Sequence, residues 1–303
     1  MFLYQLIKKM VAIKYPSDLD LMQNFPRKEN QYLFHYTTYS SALGILLSRQ
    51  MRLGSLQNMN DPLEFQNHIG DGVTLTGNPS NEEVALLVQQ FRNIVTEKQN
   101  AVRLASFSMD MPFSSQAKGS QENYFNNLSK GWARSRMWAQ YADNHKGVCL
   151  VFDKTNLIKE FEKTFKKELC ETHCRKVNYT NDLFSLKESL SQPCGSLLSE
   201  DKIEFLFQKC EDFRDEQEFR LLLINKKLRD NKEIVSFPIL NSICGVIPGA
   251  RFPKENEASL RKAIETLDRK IRWLPIRWDY GEPQLHDSVR LKAMIDEIGI
   301  SEG

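Results

Sequence analysis

No run in this 303-residue chain approaches the ~20 consecutive apolar residues that a membrane span requires. Residues 1–12 are apolar, but Lys8, Lys9 and Lys14 interrupt them or follow closely, and no small-residue cleavage site comes after. A secretory leader is therefore not expected. Charge of one sign is also lacking, since 41 Lys and Arg stand against 39 Asp and Glu. That balance gives no global basic field, so indiscriminate nucleic-acid binding is not the starting expectation. Cysteine is sparse: the six, at 149, 170, 174, 194, 210 and 244, are scattered, which reads as a reducing cytoplasm rather than a disulfide framework. The cluster Cys170-Glu171-Thr172-His173-Cys174 has no second ligand pair at zinc spacing, so no metal is expected. Also missing are a glycine-rich phosphate cradle, Gly-x-Ser-x-Gly and His-Glu-x-x-His, and with them the chemistries they announce.

What is present is an ordinary globular composition, 41% apolar and 26% charged. Periodicity and turn signals predict strands at 33–37, 51–56, 102–109, 147–152, 219–224, 233–237, 243–247 and 271–276, with a short one at 176–179. Helices are predicted at 42–49, 82–99, 132–141, 156–168, 199–211 and 254–268. Ser40 or Ser41 is expected to cap the first helix. The polar segment 111–127 is expected to be a long flap. Strands and helices do not alternate regularly, so an α+β fold is favoured over a doubly wound sheet. The expected organisation is an extension over 1–30, a single α+β domain over 31–280 and a tail over 281–303.

The segment richest in chemistry is Asp215-Glu216-Gln217-Glu218-Phe219-Arg220, which leads into Leu221-Leu222-Leu223-Ile224. In an extended chain, residues two apart share a face. Glu216 and Glu218 are then expected at the mouth of a sheet, with Glu216 one pleat further out and more solvated. The competing reading is an ion pair between the same-face neighbours Glu218 and Arg220. His35-Tyr36-Thr37 closes an early strand: His35 could bond a ligand hydroxyl or amide, and Tyr36 could stack on a planar ring. Ser106-Phe107-Ser108 closes another, with both hydroxyls on one face. In Met137-Trp138-Ala139-Gln140-Tyr141 the aromatics are helical neighbours, mostly expected in the core. His145, just before Gly147, either faces a cleft or closes that helix through its charge.

Taken in order, these segments resemble the bacterial domain-of-unknown-function family 2971. The resemblance rests on His35-Tyr36-Thr37, Arg52-Leu53-Gly54-Ser55, Asn60-Asp61-Pro62-x-Glu64, Ser106-Phe107-Ser108, Met137-Trp138-x-x-Tyr141 with His145 and Gly147, and Glu216 to Arg220. The turn Val246-Ile247-Pro248-Gly249-Ala250-Arg251 is similar to the family's Gly-Pro-Arg turn with the order altered. More weakly, the series His35, Ser106-Phe107-Ser108 and Glu216-Gln217-Glu218 resembles the three ordered motifs of the ADP-ribosyltransferases. The interval between the last two is longer here than in compact members.

That second resemblance implies an ADP-ribosyltransferase-like bent or split mixed sheet with flanking helices. It also implies an NAD-dependent ADP-ribosyltransferase or NAD glycohydrolase, with conflict between bacteria and phage as a candidate setting. Glu218 would stabilise the ribosyl cation, Glu216 would orient acceptor or water, and His35 would hold a ribose or carboxamide in a cleft shared with Glu218. Tyr36, Thr37, Ser106, Ser108, Trp138 and Tyr141 would contact NAD, the only cofactor implied, as substrate. Because Gln keeps the shape of Glu, Glu218→Gln is expected to leave the melting temperature nearly unchanged. Two alternatives stand beside this: a non-catalytic ligand-binding or regulatory module of the same fold, and a metal-independent nuclease using His35 or His145 with Glu218.

Overall fold

The computed structural model describes residues 31–59, 80–111, 128–166, 168, 170–181, 203–268, 270–279 and 282–285. The expected 1–30 extension, the Asn60-Asp61-Pro62 turn, most of the 111–127 flap and nearly all of the 281–303 tail lie outside them. The architecture is α+β, with mixed strand pairing and helices beside the sheet. The chain forms two compact units. One draws on residues up to Leu47, Asp110–Lys154 and Ile243 onward; the other is Ser48–Met109 with Thr155–Ser242.

The first unit holds β1 (Tyr32–Thr37), β4 (Val148–Asp153), β10 (Ile243–Pro248) and β11 (Arg272–Trp273) in the order β11-β10-β4-β1. β10 pairs with β11 in parallel, and the other pairs are antiparallel. Nearly all of β4 is buried, as a continuous apolar run predicts for a strand covered on both faces. A helix, α1 (Tyr39–Ser48), follows β1. Its start lies earlier than expected because the Thr38 hydroxyl, not Ser40 or Ser41, accepts the Ser41 N–H.

The same unit contains α3 (Ser135–Tyr141), α5 (Glu257–Glu265) and a hairpin of β12 (Ile276–Asp279) with β13 (Glu282–Leu285). Phe34, Tyr36, Met137, Trp138, Cys149, Val151 and Ile247 share one core cluster. Gly147 is required where α3 turns back into β4: a Cβ there would lie 2.3 Å from the Thr37 carbonyl oxygen.

The second unit is built on β3 (Val102–Ser108), β8 (Glu218–Asn225) and β5 (Cys170–Lys176), antiparallel in the order β3-β8-β5. β2 (Gln50–Leu53) pairs with β9 (Val235–Pro238), and β6 (Asn178–Tyr179) with β7 (Gln208–Lys209). Val102 faces Ile224 and Leu104 faces Leu222 across the ladder, and all four enter one apolar cluster. The helices are α2 (Asn81–Ala101) and α4 (Lys154–Phe165), whose Phe161 meets Phe237 edge-on at 5.3 Å.

Two expectations fail here. The helix predicted at 199–211 is, among its described residues, a 3₁₀ turn (Glu204–Phe207), then β7, then the start of a second 3₁₀ turn (Glu211–Glu216). Gln208 and Lys209 instead pair in parallel with Asn178 and Tyr179, which takes them out of any helical run. The polar run Cys170–Lys176 was not expected as a strand. Pairing with the apolar β8 supplies the ordering that its own sequence lacks.

Candidate functional site

The second unit assembles a buried cluster around the acidic pair. Glu216 ends the 3₁₀ turn, and Gln217 takes a left-handed conformation, φ 45° and ψ 54°. The Gln217 N–H and side-chain amide both donate to the Arg214 carbonyl, at 3.2 and 2.9 Å. That reversal lets Glu218 begin β8. The pair is therefore not carried on one face of a continuous strand. The expectation that Glu216 is the outer, solvated residue is overturned, because Glu216 is 3% exposed and Glu218 4%.

Neighbouring strands fix the backbone of the pair. The Glu218 N–H donates to the Tyr179 hydroxyl at 2.8 Å, and the Glu218 carbonyl accepts the Val177 N–H at 2.9 Å. Ser108, directly across from Glu218 in the ladder, donates its hydroxyl to the Glu216 carbonyl at 2.8 Å.

The two side chains converge on two cations. Arg220, two residues along the same strand, grips Glu218 with both oxygens engaged: Nε to Oε1 at 2.7 Å and a terminal nitrogen to Oε2 at 3.0 Å. Its other terminal nitrogen donates to the Leu206 carbonyl at 2.7 Å. The Lys209 ammonium, on β7, lies 2.6 Å from Glu216 Oε2 and 3.2 Å from Glu218 Oε2, with the Phe213 ring 4.8 Å away. Two carboxylates thus meet two cations in a buried quartet.

Burial pushes the Glu218 carboxyl up, but the charges of Arg220 and then Lys209, with hydrogen bonds from Arg220 and Ser106, bring it down to about 2. Glu218 stays an anion across any physiological pH. The ion pair between Glu218 and Arg220 weighed from the sequence is present. So is a partner that sequence reasoning missed, Lys209, whose only signal was a lone cation beside the apolar Phe205-Leu206-Phe207. The expectation that Glu218→Gln leaves stability unchanged no longer holds, since it would strand buried cations.

His35, Tyr36, Thr37, Trp138 and Tyr141 belong to the first unit. His35 is half-buried on β1, opposite Leu150 of β4. Tyr36 is buried; its hydroxyl donates to the Gly131 carbonyl at 2.6 Å, and its ring meets Trp138 edge-on at 5.1 Å. Trp138 is fully buried, its indole N–H donating to the Trp132 carbonyl at 2.8 Å. In this arrangement the Tyr36 and Trp138 rings form core rather than a ligand platform. Thr37 is buried at the strand end and Tyr141 half-buried on α3.

His145 sits in a reversal of three left-handed residues with Asp143 and Asn144, and its ring stacks on Trp138 at 6.4 Å. Burial and then the Arg251 charge lower its pKa, which weighs against a helix-closing charge there. Ser106, Ser108, Glu216 and Glu218 are brought together in the second unit.

Among the described residues, no group of three or more His, Cys, Asp or Glu side chains is arranged to hold a metal. Among them, too, no helix is long and apolar enough to cross a membrane.

Residues 137–221 match the model of a family described as protein of unknown function (DUF2971). The matched stretch runs from Met137-Trp138 to Arg220-Leu221, so it includes the aromatic helix and the acidic pair. No curated protein sequence matches the chain. Among solved structures the chain is similar to DarT of Thermus sp. 2.9 in complex with NAD+, at 11% identity and a TM-score of 0.32, over 83% of this chain and 98% of that one.

Proposed function

We propose that this protein binds NAD or a related nucleotide and breaks its nicotinamide–ribose bond, passing the ADP-ribosyl group to water or to an acceptor. The observation that carries the reading is Glu218: a buried carboxylate, ionised down to about pH 2, held rigidly at the head of a strand. As the glycosidic bond breaks, positive charge develops on the ribose. An anion already fixed in a site that excludes water stabilises that charge without having to reorganise. Glycoside hydrolysis uses carboxylates against the same kind of cation. Ser106 and Ser108 brace the pair, and Glu216 stands ready to orient water or an acceptor. A reducing cytoplasm suits the scattered thiols, and conflict between bacteria and phage would give such chemistry a use.

A specific observation supports a second reading, that of a non-catalytic ligand-binding module. Arg220 and Lys209 occupy both Glu218 oxygens, so a ribose hydroxyl must join or displace one of them. The test is to incubate purified protein with NAD and measure free nicotinamide by chromatography. A Glu218→Gln control is run at a temperature where circular dichroism shows it folded. Release by the parent protein, reduced on the order of 10²–10³-fold in the variant, supports the transferase reading. Absence of release together with a melting temperature raised by NAD would support the ligand-binding module instead.

A further inference from the structure

Lys209 is the member of the buried quartet with two jobs and unequal grips. Its backbone is fixed by β7: it pairs in parallel with Tyr179, and its carbonyl accepts the Thr180 N–H at 3.1 Å. Its ammonium, buried beneath the Phe213 ring, is close to Glu216 and looser on Glu218, at 2.6 against 3.2 Å. Arg220 differs. It holds both Glu218 oxygens and is tied by a third bond to the Leu206 carbonyl, so it cannot leave without orphaning buried groups. Of the two cations on Glu218, Lys209 holds it by the longer contact and is the less costly to replace.

We propose that Lys209 is a positioning residue that bridges Glu216 and Glu218 in the free protein and gives up Glu218 Oε2 to a ribose hydroxyl while keeping its hold on Glu216. The role in turnover rests on the transferase reading above; the bridge between the two carboxylates does not. Two carboxylates facing one ammonium are held together by it. Without it they face each other, and like charges at close range favour protonation of one of them. A hydroxyl donating to Oε2 takes over one hydrogen bond, and Lys209, still on Glu216, keeps the site near neutrality. The ligand class this exchange suits is a vicinal-diol sugar, such as the ribose of a nucleotide.

The test follows protein labelled with carbon-13 at the glutamate carboxyls, assigned through their backbones, over pH 2–7. In Lys209→Met the higher of the two protonation midpoints of the Glu216–Glu218 pair should rise by roughly one unit or more, and in Lys209→Arg, which keeps the charge, by less than about half a unit. The acid limb of nicotinamide release should move by the same amount in Lys209→Met, with KM changing less than kcat. Unchanged midpoints for both carboxylates in Lys209→Met overturn the proposal.

If Lys209→Met does not fold, the nitrogen-15 signal of the Lys209 ammonium in the parent protein decides. A protected signal at pH 7 that weakens as Glu218 protonates supports the bridge. Absence of a protected signal overturns it. If the parent protein releases no nicotinamide at any pH, the transferase reading fails, and the titration still reports on the bridge.

Discussion

Replacing Glu218 by Gln removes one charge from a site where water cannot take its place. Glu218 is 4% exposed, Arg220 1% and Lys209 5%, so the variant strands one cation and half-releases the other. Two routes give the cost. Breaking a buried pair by removing one partner costs about 3–5 kcal/mol. Independently, the Glu218 carboxyl is lowered from 4.5 to about 2. At about 1.4 kcal/mol per unit, that gap represents a stabilisation on the order of 3 kcal/mol. The two agree. With about 2–4 °C lost per kcal/mol in chains of this size, the melting temperature should fall by roughly 6–20 °C.

The linkage has a definite sign. A carboxyl depressed on folding contributes fully above its unfolded value near 4.5, and its contribution is lost as pH falls toward about 2. Thermal melts from pH 7 down to pH 2 should therefore show the parent protein losing stability below about pH 4.5, and Glu218→Gln losing less over the same window. The double variant Glu218→Gln with Arg220→Met removes the stranded Arg220 charge as well, leaving Lys209 on Glu216, and should recover part of the loss, because apolar replacement of a buried pair is often near neutral. A Glu218→Gln protein that melts within about 2 °C of the parent, with an unchanged acid profile, would refute the compensated quartet as the source of this stability.

Further outcomes follow from single contacts. Ser108→Ala leaves the buried Glu216 carbonyl without its hydroxyl donor and should cost about 1 kcal/mol in chemical denaturation. Gly147→Ala places a Cβ 2.3 Å from the Thr37 carbonyl oxygen and should lower stability by about 1–3 kcal/mol or more, read as an earlier thermal melt. Buried Arg103 donates to the Asn100, Val102, Asp230 and Glu233 carbonyls, so Arg103→Met should speed hydrogen exchange across residues 229–233 while β8 stays protected.

Much of the architecture could be read from local pattern. β3, β4 and β8 are mostly apolar runs between turn signals, so their strand character follows from local pattern alone. The amphipathic stretches that became α2, α4 and α5 were legible for the same reason. The acidic pair stood out because two carboxylates directly before an apolar strand are rare enough to notice.

What the sequence could not supply was which groups meet that pair. Lys209 precedes Glu216 in a segment whose pattern suggested a helix, and only tertiary pairing with β6 makes it a strand that delivers an ammonium to both carboxylates. The left-handed turn at Gln217 is likewise a tertiary outcome, since Gln has no intrinsic preference for it. Alternation along a strand predicted a shared face with Glu216 outward; a single reversed residue buried it instead. Periodicity records which faces are apolar, because burial acts on each residue in place. Charge partners are chosen by three-dimensional proximity, so the state of Glu218 was decided only when the chain had folded around it.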